Sequence, residues 1–315
     1  TIIDISIKGN ADAEYNGHDQ KVSDLSTGTA TTVNDQVSTW WFSREETTDK
    51  SRFSTDLKLI DAGDHTIYYY VSAPNHQDSI IGSFTLTIGR VELRIDIGNG
   101  SMEYDGEIPD AEDLGSVGYE ISSGDLVGED TLDDLRITLS LENAARDAKP
   151  YTINGECDNK NYSVTFNTGT FTISKIDLDV PTVSGGNTTY TGKGVDLSTL
   201  IEGLSDLVQT SIGRDTITWT YSLTYDAEGE GYGTVTEKNA GDYEVYIMGT
   251  ADNHRSYIAK EPVKVTIDRA SLKLTIEGKT VEYGYDEPNF EIKNEGFVNG
   301  ESFESLGVKA EAGTK

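Results

Sequence analysis

Ala240–His254 reads AGDYEVYIMGTADNH, and Ala62–His76, 178 positions earlier, reads AGDHTIYYYVSAPNH. Both stretches open on Ala-Gly-Asp and close on Asn-His, and in both the glycine stands 12 residues before the asparagine. A looser third copy, AKPYTINGECDNKNY at Ala148–Tyr162, keeps the 12-residue interval between Lys149 and Asn161. Glycine takes positive φ at little cost and aspartate bonds backbone near itself, so Gly-Asp predicts a turn. The residues that follow alternate in the manner of a strand, with Ile67 and Tyr69 on one face and Tyr68 and Tyr70 on the other. Asparagine tolerates a left-handed backbone and suits the end of the next loop. The repeated sentence therefore codes a turn, a strand and a loop, and nothing in it demands chemistry.

Further landmarks fall in register with it. Tyr15-Asn16-Gly17, Tyr104-Asp105-Gly106, Tyr190-Thr191-Gly192 and Tyr283-Gly284 are separated by 89, 86 and 93 residues. Apolar residues at every second position close each unit: Phe84/Leu86/Ile88, Phe171/Ile173 and Val263/Val265/Ile267. A fixed period of this size is the mark of a repeat protein. The expected modules are 1–89, 90–175 and 176–269, with 270–315 as the first half of a fourth. Modules one and three share STWWFS (Ser38–Ser43) and ITWTYS (Ile217–Ser222). Modules two and four share GEDTLDDL (Gly128–Leu135) and GESFESL (Gly300–Leu306), so an ancestral pair was duplicated. The chain opens in a strand-like stretch and stops soon after a new repeat begins, and it reads as part of a longer protein.

The third module gives the clearest local pattern. IDLDVPTV and NTTYTG read as short strands, and TITWTYSLTY, DYEVYIMG and PVKVTID as three more with period 2. Between them Leu197, Leu200, Ile201, Leu204, Leu207 and Val208 fall at helical spacing, with Asp196 as N-cap. The expected class is mostly β, built of α+β modules: tandem β-grasp-like units, each a mixed sheet with one short helix, in an elongated array. Immunoglobulin-like β-sandwich modules are the alternative, although a sandwich has no place for that helix.

YGYDEPNFEIKNEGFVNGESF (Tyr283–Phe303) resembles the YGX-type MBG domain of bacterial surface proteins. The second module resembles it through YDGEIPD, GEDTLDDL and YTINGECDNKNYSVTFNTGTFTISK, and NAGDYEVYIMGTADNH of the third is similar to related MBG repeats. The pattern departs from the family at Tyr104-Asp105-Gly106, where the glycine stands one place later, and at Lys149-Pro150, where Gly-Asp is expected. The resemblance implies tandem domains of large, exported, adhesin-like proteins at the bacterial cell surface, and it implies no catalytic residues.

Composition bounds the function further. The 315 residues carry a formal charge of −30, which repels nucleic acid and anionic membranes. With 32 Gly, 17 Tyr and 2 Met the chain has a turn-rich, β-rich profile. Cys157 stands alone, so no intramolecular disulfide forms, and it reads as a structural thiol in a strand. No stretch reaches the length of a membrane span. The spacing of His18, His65, His76 and His254 fits no metal motif, and there is no phosphate loop or nucleophile elbow. No catalytic residue, cofactor site or metal site is expected. GEDTLDDL admits a calcium reading, but Asp130 as the N-cap of a helix explains it better. An internal isopeptide bond is conceivable, yet no triad of residues identifies one. Trp40 and Phe42 match Trp219 and Tyr221 and read as core. Trp41 faces the other way where its counterpart is Thr220, which makes Trp41 the candidate contact for a glycan or an extracellular protein. The sequence thus predicts a monomeric, extracellular, non-catalytic spacer or interaction array. A glycan-binding module and an accessory region of an exported enzyme are the other readings.

Overall fold

Alternating apolar and polar residues become strands wherever one face has a core to cover, and this chain is built almost entirely that way. The computed structural model describes residues 2–33, 36–280, 284 and 290–308. These residues are mostly β, and the helical turns among them are 3-10 turns of three or four residues. Contacts divide the chain into two units. Unit 1 holds 1–102, 108–145 and 149–173; unit 2 holds 103–107, 146–148 and 174–315.

In unit 1, β1 (Ile2–Gly9) pairs antiparallel with β2 (Ser26–Thr32). A sheet of β3 (Thr39–Ser43), β4 (Gly63–Ser72) and β5 (Gly82–Ile88) follows. Its antiparallel register sets Trp40 opposite Val71 and Ile67 opposite Phe84. Ile67, Leu86 and Ile88 of these strands are buried with Phe42 in one core. The other face of β4 is covered too, because Tyr70 is buried under Phe53 and Trp41. Next in the chain, β6 (Val91–Ile97) pairs antiparallel with β7 (Tyr119–Ser123). On its other side it pairs in parallel with a strand from further along, Tyr162–Asn167. A second sheet contains β8 (Ile137–Leu141), β9 (Pro150–Cys157) and, after the parallel strand Tyr162–Asn167 (β10), β11 (Gly169–Ser174). The two sheets face each other: the ring of Phe166 on β10 lies over Gly155 of β9, where a side chain would collide with it. Cys157 is half-buried at the end of β9, its thiol directed at the Leu135 carbonyl at 3.2 Å.

In unit 2, β12 (Asn187–Thr189), β13 (Thr218–Ser222), β14 (Gly241–Thr250) and β15 (Val263–Asp268) form one sheet in the order β12-β15-β14-β13. The β12–β15 pair is parallel, and β15–β14 and β14–β13 are antiparallel. β14 alternates cleanly, with Val245 and Ile247 buried against Val265 and Ile267. Further on, β16 (Lys273–Ile276) pairs with β17 (Ile292–Glu295).

The helix expected over Leu197–Val208 is not formed. Leu197–Leu200 makes one 3-10 turn, capped as expected by Asp196, whose carboxylate accepts from the Ser198 amide. Ile201–Glu202 then turns into a short strand, and Gly203 at φ 97° breaks any helical course. The apolar stripe is still buried, through Leu197, Ile201 and Leu204, but an extended segment buries it. The helical half of the expected α+β module is therefore absent here, and the facing sheets of unit 1 have the layering of a sandwich. Asp130 is likewise not the cap of its turn: Thr131 holds that place in a capping box with Asp134, which frees Asp130 for another role.

Candidate functional site

The tyrosine landmarks and the close of the repeated sentence meet in space. Each landmark tyrosine is first fixed to its own repeat by its backbone. The amides of Tyr15, Tyr104 and Tyr190 donate to the carbonyls of Gly89, Ser174 and Asp268, at 3.0, 2.9 and 2.8 Å. Each of these carbonyls sits at or just past the end of the repeat's last long strand. The phenol then reaches forward in sequence to a carboxylate of the next repeat.

In unit 1 the hydroxyl of Tyr15 donates to Asp130 Oδ2 at 2.8 Å, and that of Tyr162 donates to the same oxygen at 2.7 Å. The two rings meet edge to face at 5.7 Å between centroids. Asn161 accepts the Ala62 amide on Oδ1 at 2.9 Å. Burial, with the Asp130 carboxylate alongside, pushes the Tyr15 phenol up to about 12 and raises that of Tyr162 as well.

In unit 2 the same arrangement recurs with other letters. Tyr104 donates to Asp215 Oδ2 at 3.0 Å, and Asn253 accepts the Ala148 amide at 2.7 Å. His254 replaces Tyr162 and meets the Tyr104 ring edge to face at 5.6 Å. Asp215 is only 7% exposed, and its charge is met from several sides. Asn253 Nδ2 donates at 3.1 Å, Arg146 Nη2 donates at 3.2 Å, and His254 Nδ1 lies 3.6 Å away. Nδ1 also faces the Asp252 carbonyl at 2.8 Å, so an oxygen lies on each contact and the ring carries its hydrogen there. A buried carboxylate is tolerated only when paired and hydrogen-bonded in this way. Burial and the Asp215 carboxylate hold the Tyr104 phenol above its ordinary range.

A third, more open version joins Tyr190 to Glu301 Oε1 at 2.9 Å. That bond, more than burial, raises the Tyr190 phenol. The corresponding landmark of the last repeat, Tyr283, lies outside the described residues.

Beside Tyr15 and Tyr104 backbone meets backbone, and beside Tyr190 the Asn299 side chain lies against Gly192 and donates to its carbonyl at 2.6 Å. Gly17, Gly106 and Gly192, two places after the tyrosine, lie against Gly128, Gly213 and Asn299, two places before the carboxylate. All six have positive φ, from 48° to 89°. A side chain at Gly213 would occupy the space of the Tyr104 hydroxyl, so close approach as well as φ requires glycine there.

The site residue singled out from sequence stands elsewhere. Trp41 does point away from Trp40, but it is half-buried and stacked on Tyr70, 5.9 Å between centroids with planes 3° apart. Its Nε1 donates to Ser72 at 2.9 Å. Lys50 lies over the other part of this cluster, 4.7 Å from the Tyr70 centroid. Phe42 is buried in the core as expected, whereas Trp40 is half-buried and packs against that core, lying over Gly28 and forming the wall of an open cavity of about 500 Å³. Ser38, Thr39, Thr55 and Phe42 line that cavity as well. Among the described residues no cluster of three or more His, Cys, Asp or Glu could hold a metal ion, and no helix is long and apolar enough to cross a membrane.

No family model matches the chain. No curated protein matches it. Among solved structures, Drosophila N-cadherin EC1-3 is 10% identical, with 82% of this chain and 95% of that chain covered at a TM-score of 0.24. The Bacteroides ovatus mixed-linkage glucan utilization locus SGBP-B, in complex with a mixed-linkage heptasaccharide, is 11% identical over 91% of this chain and 75% of that one, at 0.17. The Clostridium thermocellum CbhA fibronectin(III)-like modules are 8% identical over 84% and 95%, at 0.16. At such scores nothing about partners or activity is drawn from them.

Proposed function

We propose that this chain is a non-catalytic tandem-repeat region of an extracellular, adhesin-like protein of a bacterial cell surface, working as a spacer and interaction array. One observation carries this reading: the same clamp, a tyrosine of one repeat bonded to a carboxylate of the next, is built three times. A buried polar cluster, that around Asp215, thus serves to couple repeats. In this reading the repeats are MBG-like modules bounded near residues 89, 175 and 269, the chain is monomeric, and no enzyme activity resides in it. Of the two module architectures, the sandwich fits the facing sheets of unit 1 better than the β-grasp does.

The second reading, a glycan-binding module, is favoured by the cavity beside Trp40, where an indole wall and several hydroxyls stand together. A glycan and mucin array screen tests both readings, run with Trp40→Ala and Trp41→Ala beside the parent chain. No specific binding supports the spacer. Binding lost in Trp40→Ala, with stability retained, replaces the spacer reading with the glycan reading.

A further inference from the structure

The first repeat carries the receiving half of this clamp, and among the described residues no tyrosine hydroxyl bonds to it; the second ring nitrogen of His76, Nε2, lies 3.2 Å from the Val33 carbonyl. Asn75 and His76 occupy the places of Asn253 and His254, and their backbones agree: φ is 63° at Asn75 and 62° at Asn253. The imidazole is held in the same way, with Nδ1 of His76 at 2.7 Å from the Pro74 carbonyl and Nδ1 of His254 at 2.8 Å from that of Asp252. The carboxylate position is also prepared. Asp215 stands four residues before Trp219, and its amide donates to Thr210 Oγ1 at 2.9 Å. Gln36 stands four residues before Trp40, and its amide donates to Thr32 Oγ1 at 2.7 Å. Strand register fixes both loops alike, since Trp40 faces Val71 and Trp219 faces Gly249, equivalent positions of the two long strands.

What differs is cover. Asp215, Asn253 and His254 are buried, whereas Gln36 and Asn75 are exposed and His76 is half-exposed. Val33 and Val37 beside them are 55% and 83% exposed. No hydrogen bond engages the Asn75 side chain among the described residues, while Asn161 and Asn253 each hold a backbone amide of the neighbouring repeat.

We propose that Gln36, Asn75 and His76 form an open socket that receives the Tyr-Xaa-Gly turn of another repeat of this kind, joined ahead of it in the same polypeptide. The incoming phenol donates to the Gln36 amide oxygen, and a backbone amide of that repeat donates to Asn75 Oδ1. The apolar ring covers His76 and the valines. Gln36 is neutral where the other sockets are charged, so this bond is weaker than its counterparts. Covalent joining compensates, because it supplies an effective concentration that a separate chain lacks. The inference rests on the spacer reading only in taking the clamp as the coupling element, and it is indifferent to the outcome of the glycan screen.

The test is a chain in which residues 1–175 are repeated ahead of Thr1, compared with the parent by hydrogen exchange. Protection of amides 73–77 is expected to rise by about tenfold or more, and to fall back on Tyr104→Phe in the added copy or on Asn75→Ala in the original. Gln36→Asp in the original should raise the melting temperature of the extended chain and leave that of the parent unchanged. Unchanged exchange at 73–77, with the added copy protected around its own Tyr15 and Asp130, overturns the proposal. Should the added copy be unprotected there, a copy of residues 1–269, which offers Tyr190 to the socket, decides by the same criterion. Self-association of the parent chain that Asn75→Ala abolishes would place the occupant in a second chain and overturn the assignment to the same polypeptide.

Discussion

Tyr104→Phe removes one oxygen and leaves the ring, so it tests the clamp without opening a cavity. The lost group is a donor to a carboxylate that is 7% exposed. Hydrogen bonds to charged groups contribute roughly 1.5–3 kcal/mol, about twice the neutral value, and a buried acceptor that loses its partner sits toward the upper part of that range. Asp215 keeps Asn253 and Arg146, which limits the damage. The expected loss is therefore about 2 kcal/mol, or roughly 4–8 °C in the melting temperature of unit 2. Tyr190→Phe is the internal control. Its acceptor, Glu301, is half-exposed, so solvent screens the bond and the loss there should be clearly smaller than for Tyr104→Phe. Urea unfolding followed through Trp219 fluorescence reads both. Pairing Tyr104→Phe with Asp215→Asn in a double-mutant cycle isolates the contact, with about 1 kcal/mol or more of coupling expected. Tyr104→Phe within 0.5 kcal/mol of the parent, or no coupling in the cycle, would refute the claim that this bond holds the clamp.

Gly213→Ala should cost more than Tyr104→Phe, about 3 kcal/mol or beyond, since it meets both a left-handed backbone and the tyrosine hydroxyl; calorimetry of the variant checks the order. Trp41→Ala should lower stability by about 2 kcal/mol, because the ring is stacked on Tyr70 and bonded to Ser72, and a chain as stable as the parent would show that the packing matters little. Alkali should loosen unit 1 in a defined window. The Tyr15 phenol is raised from 10.0 to about 12 in the folded chain, so its contribution is whole below pH 10 and lost as pH climbs through about 12. A melting temperature of Tyr15→Phe as steep in pH over that window as the parent's would remove Tyr15 as the cause. Asp64→Ala and Asp242→Ala should each cost about 0.5–1 kcal/mol in urea unfolding, as each removes a cross-strand bond, from Thr87 at 2.6 Å and from Thr266 at 2.9 Å.

Those last bonds show how the sequence was and was not legible. Ala-Gly-Asp was read as a turn in which the glycine takes positive φ and aspartate bonds its own backbone; Gly63 does take φ 121°, but Gly241 has no positive φ, and each glycine is the first residue of a strand. The aspartates instead bond threonines of the next strand, which lie more than twenty residues away in both repeats. Strands with period 2, such as β14, could be read directly because alternation depends only on neighbours. The stripe at Leu197–Val208 misled because an irregular extended segment can bury the same positions as a helix once Gly203 turns the chain. The clamp itself left a signal, namely the tyrosines at constant spacing and the Asn-aromatic or Asn-His pairs. The tyrosine and its carboxylate, however, are more than a hundred residues apart, and the acid changes from Asp to Glu along the chain. Asp130 was visible only as a helix cap because the partner that explains it belongs to a different repeat. Trp41 was placed on the correct face, but its cover comes from Tyr70, whose own burial breaks the alternation of β4.

The glycine pairs beside Tyr15 and Tyr104 carry a consequence for how such a chain changes over generations. Where Gly17 meets Gly128 and Gly106 meets Gly213, the seam is made of main chain, and main chain is common to every sequence. The requirements for splicing one repeat to the next then come down to a tyrosine, a left-handed residue on each side, an acid two places on, and the asparagine with its aromatic or histidine neighbour that receives the incoming turn. Everything else on the surface of a repeat is free to drift. Units that answer to so short a specification can be duplicated, deleted or reordered by recombination without redesigning their neighbours, and the alternation of the two repeat types is the trace such an event leaves.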